Sequence, residues 1–112
     1  MAQIHAFGDD VLGSHDAVAL AHMVRTGQVS ATELTEAALL RLERVNPVIN
    51  GVQWPRAEQA LKDSRQPLQG VFAGVPSLIK DNTDVAGLPT QHGSLAVDAQ
   101  IAQKDGAFAQ QY

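Results

Sequence analysis

The sequence has 112 residues, with 12 acidic and 8 basic side chains and a formal charge of −4. That length suits one domain or one piece of a larger one, and an acidic chain without a basic cluster is a poor partner for a phosphate backbone, so no direct nucleic-acid binding is expected. The absence of cysteine excludes disulfide scaffolds, thiolate metal sites and cysteine nucleophiles, while 45% hydrophobic residues allow a core, a thin one because many are alanine.

The first ten residues carry no basic start and no apolar run. No stretch approaches the roughly 18 apolar residues that span a bilayer. A cytoplasmic protein without membrane contact is the expectation. A first helix is predicted from Ser14 as N-cap, with Asp16 in the first turn, an apolar stripe of Val18, Leu20, Met23 and Val24, and Gly27 just past its end. His22 reads as a helix-face histidine.

The second helix has the clearest local signal. Ser30-Ala31-Thr32-Glu33 forms a capping box, and Leu34, Ala37, Ala38, Arg41, Leu42 and Val45 follow at helical spacing. Asn46-Pro47 is expected to end it, because a residue before proline avoids helical angles. Val48–Val52 is read as a short strand. A third helix opens at Trp54-Pro55, with Pro55 at its first position, and continues through Glu58, Ala60, Leu61 and Lys62. Residues 62–70 read as a loop.

Beyond Gly70, glycine and proline become frequent. A strand is predicted from Val75 to Lys80, followed by an Asp81-Asn82 turn and a glycine-rich turn at Ala86–Thr90. Asp105 is expected to cap a last helix over residues 106–112. No Gly, Pro or polar tail closes that helix, so a chain that continues is the expectation. Residues 1–66 are thus read as mainly helical and 67–112 as the start of a sheet region.

Metal and phosphate chemistry find little support. His5, His15, His22 and His92 form no HExxH pair, and the spaced glycines of 70–74 lack a following Gly-Lys-Ser/Thr. No cofactor and no metal site are expected. The segment with chemical content is 70–82, where Lys80 ends an apolar run. A single lysine there is ordinarily solvated. A buried one has a lowered pKa and can serve as a base toward serine. The residues alone leave both readings open.

The order Gly74-Val75-Pro76, Ile79-Lys80-Asp81-Asn82, Asp84–Thr90 and Gly93-Ser94 resembles the amidase signature family of amide hydrolases. The helix from Ser30 through Asn46-Pro47, with Ile49-Asn50, is similar to the same family's N-terminal region. The resemblance implies an α/β fold, of which this chain would supply the N-terminal helices and the first strands of a mixed sheet flanked by helices. Residues 1–112 would be the N-terminal part of one amidase domain.

It implies a Ser-cisSer-Lys triad in which Lys80 matches the lysine base. The Gly-Ser-Ser-Gly-Gly stretch that carries the middle serine does not occur here, because Gly93-Ser94 is followed by Leu95-Ala96. The 112-residue chain alone is therefore expected to be inactive. The expected ligand is a small-molecule amide, and a homodimer or amidotransferase partner subunits are the protein partners the resemblance allows. Two further readings stand beside the amidase: the glutaminase-type component of an aminoacyl-tRNA amidotransferase, and a non-catalytic remnant or partner-binding module.

Overall fold

A computed structural model describes residues 3–112. Its elements are α1 (Ala17–Arg25), α2 (Ala31–Ile49), α3 (Ala57–Ser64), β1 (Pro89–Thr90), β2 (Gln100–Ile101) and α4 (Ala107–Gln111). The chain divides into two units, one running to Pro76 and the other from Ser77 to Tyr112. Helices with a small antiparallel sheet are compatible with the α/β class; a mixed sheet flanked by helices is not present among the described residues.

The first unit is built on α2. Its capping box closes in both directions: Ser30 Oγ accepts from the Glu33 amide at 3.1 Å, and Glu33 Oε2 accepts from the Ser30 amide at 2.8 Å. Hydrogen bonds from Ser30 hold the Glu33 carboxyl below its ordinary pKa, the backbone bond being the largest cause. Leu34 is fully buried and sits in a cluster with Leu12, Leu20, Val29 and Ala37. Burying one such leucine contributes about 2 kcal/mol. Thr35 is the buried polar residue among the described ones, and its hydroxyl donates to the Ala31 carbonyl at 2.8 Å, so this group keeps a partner.

Several helix ends differ from expectation. The cap of α1 is Asp16, whose Oδ1 accepts from the Ala19 amide at 2.8 Å, and not Ser14. Residues 11–14 are already committed to a turn made by Asp10, whose Oδ1 accepts from the amides of Leu12 and Gly13 at 3.0 and 3.1 Å. The helix therefore starts two residues later. Gly27 does take the left-handed conformation expected after the helix end, with φ +73°.

The second difference is that α2 runs through Pro47 to Ile49, so Val48 and Ile49 are helical and no strand forms over 48–52. Proline in a last turn removes one backbone donor and leaves the bonds beyond it intact. The Asn50 amide closes the final turn on the Asn46 carbonyl at 2.8 Å, and Asn50 itself supplies the left-handed exit at φ +47°. The Asn46 side chain then bonds Val52 twice, accepting from its amide at 2.9 Å and donating to its carbonyl at 3.0 Å. A side chain that satisfies the chain beyond the helix makes the unfavourable pre-proline position tolerable. Helix α3 likewise starts at Ala57 after Arg56, two residues past the expected Pro55.

Residues 67–76 belong with the helical unit. Arg25 Nη1 donates to the Val71 carbonyl at 3.3 Å, and Val75 packs against the Leu34 cluster. Gly74 has φ +86°, and a Cβ there would lie 3.0 Å from both Ala31 Cβ and Val24 Cγ1. The backbone at Gly74 thus approaches the start of α2 and the side of α1 so closely that a Cβ there would push its neighbours by a few tenths of an ångström, in a left-handed conformation that favours glycine.

The second unit is a hydrogen-bonded assembly with no buried side chain among the described residues. Strands β1 and β2 pair antiparallel, Pro89 opposite Ile101 and Thr90 opposite Gln100. Pro89 has no N–H to give, so neighbouring backbone carries the pairing: the Ala102 amide donates to the Leu88 carbonyl at 3.0 Å and the Gly87 amide to the Ala102 carbonyl at 2.9 Å. Helix α4 begins after Gly106 and has no side-chain cap. Asp105, expected to cap it, instead accepts from the Ala86 amide at 2.7 Å.

Candidate active site

Lys80 lies in the second unit and is exposed to solvent. The strand predicted over Val75–Lys80 is absent: these residues carry neither helix nor ladder pairing. A strand exists only where a second backbone offers donors and acceptors, and the one ladder among the described residues lies at 89–90 with 100–101. Lys80 therefore precedes a tight turn. Its carbonyl accepts from the amides of Asn82 at 2.8 Å and Thr83 at 3.1 Å.

The residues after Lys80 do the organising. Asp81 Oδ1 accepts from the Gln91 amide at 2.9 Å, and Oδ2 accepts from the Gly93 amide at 3.0 Å. These bonds, the one from Gln91 first, hold the Asp81 carboxyl below its ordinary pKa. Between the two donors sits His92, in the left-handed region at φ +56°. Asp84 adds a second fastening. Its Oδ1 accepts from the Thr90 hydroxyl at 2.6 Å, and its carbonyl accepts from the Gly106 amide at 2.9 Å. With Asp105 on the Ala86 amide, three carboxylates hold the segment from 81 to 106.

An open hollow of about 400 Å³ is lined by Asn82, Thr83, Asp84, Thr90, His92 and the first residues of α4. Lys80 does not line it. No group of three or more His, Asp or Glu side chains converges as a metal site among the described residues. No helix among them is long and apolar enough to cross a membrane.

Of the residues singled out in sequence, the structure gathers Asp81-Asn82, Asp84, Thr90 and Gly93 into one turn system. The clamp by Asp81 was not legible in sequence. An Asp that bonds backbone two residues ahead leaves a local signature, whereas these amides lie ten and twelve residues on.

The family model described as Amidase matches residues 33–112. This chain belongs to the amidase family.

Over all 112 residues the chain is 46% identical to a Mycobacterium leprae protein named "Putative amidase AmiC", of whose length it covers 24%. It is 48% identical over 71 residues to the 6-aminohexanoate-cyclic-dimer hydrolase of Paenarthrobacter ureafaciens, which is 63% of this chain and 14% of that one. It is 37% identical over 93 residues to a glutamyl-tRNA(Gln) amidotransferase component from Alkalilimnicola ehrlichii, 77% of this chain and 19% of that one. The chain thus spans about a quarter of the length of the first of these relatives.

Proposed function

We propose that this amidase-family chain is the amino-terminal portion of an enzyme that hydrolyses amide bonds through a Ser-cisSer-Lys triad, and that Lys80 is its base. One observation carries this reading. The Lys80-Asp81-Asn82 motif falls inside the family match, and it opens the turn system that Asp81 ties to the Gln91 and Gly93 amides.

The chemistry needs a neutral lysine. Lys80 would take a proton from a middle serine, and that serine would take one from the nucleophile. The nucleophile's oxygen attacks the amide carbon, backbone amides hold the oxyanion, and the C–N bond breaks as the nitrogen is protonated. Water then cleaves the ester. The Gly-Ser-Ser-Gly-Gly stretch that would carry the middle serine does not occur in these 112 residues, so the complete enzyme would have to supply it and the nucleophile.

The test is amine release from a simple aryl amide by the complete enzyme that contains this sequence. Release is the expected result. Hydrolysis of glutamine alone, with ammonia passed to a partner protein, would favour the second reading, which the likeness to the Alkalilimnicola ehrlichii protein supports. Release of neither amine nor ammonia from a soluble, folded enzyme would overturn both.

A further inference from the structure

We infer that Asp81 is the positioning residue for Lys80, its carboxylate clamping the 91–93 backbone so that the lysine's main chain is held in one place. The inference rests on the reading of Lys80 as base and extends it to a neighbour.

The second unit has no buried side chain to fix a backbone by packing. Among the described residues, hydrogen bonds are what tie down the backbone at Lys80. Lys80 and Asp81 share a peptide unit, so anchoring one constrains the other. On one side the Lys80 carbonyl is tied by the amides of Asn82 and Thr83. On the other, the Asp81 side chain reaches ten and twelve residues along the chain and takes both Gln91 and Gly93 amides, one on each oxygen. Two oxygens bound to two amides around a left-handed His92 define position and orientation together. The 91–93 turn is in turn continuous with β1, whose Thr90 hydroxyl is held by Asp84. The result is a closed frame from Lys80 round to Gly93.

Asp81 does not act on the lysine as a charge partner. The ion pair among the described residues is Arg41 with Asp10, and both Asp81 oxygens face backbone amides. A carboxylate so occupied stabilises the turn while leaving the side chain of Lys80 free to enter a triad.

The experiment compares Asp81→Ala, Asp81→Asn and Lys80→Ala in the complete enzyme. Misplacing a catalytic group by about 1 Å costs on the order of 10²-fold in rate. Asp81→Ala should therefore lower kcat by about 10²-fold with KM little changed. Asp81→Asn keeps one acceptor oxygen and should recover part of that loss, to about tenfold below the parent. Lys80→Ala should abolish turnover. If Lys80→Ala is inactive while Asp81→Ala keeps the parent's kcat, or changes KM alone, the positioning role is wrong and the base assignment survives. If Lys80→Ala stays active, the base assignment fails and the positioning role falls with it.

Should the Asp81 variants be insoluble, amide NMR of the unmodified complete enzyme decides. The Gln91 and Gly93 amide signals should shift together in acid as the Asp81 carboxyl takes up its proton. Signals that move independently of it would overturn the clamp.

Discussion

Arg41 occupies a helical position in α2 that the apolar repeat marks only as one of its members. In the structure its guanidinium grips Asp10 through two nitrogens, at 2.7 and 2.6 Å, and also donates to the Gly13 carbonyl at 2.9 Å. That fork seats the turn at 10–13 and buries Leu12 against α2. The bonds that Asp10 accepts, from Arg41 first and then from the Gly13 and Leu12 amides, lower its pKa from 3.8 to about 2. A folded-state pKa below the unfolded value means the stabilisation is complete above the unfolded pKa and fades as pH falls through the folded one. Arg41→Ala is expected to lower the unfolding free energy by about 1–2 kcal/mol near neutral pH. Urea titrations at neutral pH and near pH 2 check this. An Arg41→Ala loss that is equally large in acid would show that the ion pair is not its source. None of this was visible in sequence, because Asp10 and Arg41 lie 31 residues apart. The capping pair of Ser30 and Glu33, three residues apart, was visible for the opposite reason.

At the scale of elements, α2 was legible almost throughout, since its cap and its apolar repeat are both local. Its end was not, because the cost of Pro47 is offset by Asn46 bonding to Val52, a contact outside the helix. The strand expected over 75–80 failed on the same ground: a strand needs a partner, and periodicity of two cannot supply one. The short pair of β1 with β2 lacked any periodic signal, being two residues on each side. Gly74 shows what the Gly-Val-Pro motif does physically. It lets the chain pass against Ala31 and Val24 at a distance where a side chain would crowd both. Gly74→Ala forces both a left-handed alanine and a contact near 3.0 Å, and is expected to cost about 1–3 kcal/mol. Chemical denaturation of the variant measures it. A loss below a few tenths would mean the helices yield without strain.

At the scale of the whole molecule, two kinds of cohesion coexist in one short chain. The unit ending at Pro76 contains the buried residues, from Leu12 to Val45. The unit from Ser77 holds itself by carboxylates on backbone amides and leaves Leu78 and Leu95 at 76% and 96% exposure. That division explains why the fold was read better than the site. Apolar spacing announces a core, whereas carboxylate-to-amide bonds across ten to twenty residues leave no pattern in sequence. The candidate site was singled out through its motif, and the geometry around that motif came from the structure. The measurement that tests the central claim most directly is turnover of an aryl amide by three proteins: the complete enzyme, its Lys80→Ala variant and the 112-residue chain. Activity in the first alone is the result expected of a lysine base whose serines lie elsewhere. Turnover by the Lys80→Ala variant, or by the 112-residue chain, would contradict it.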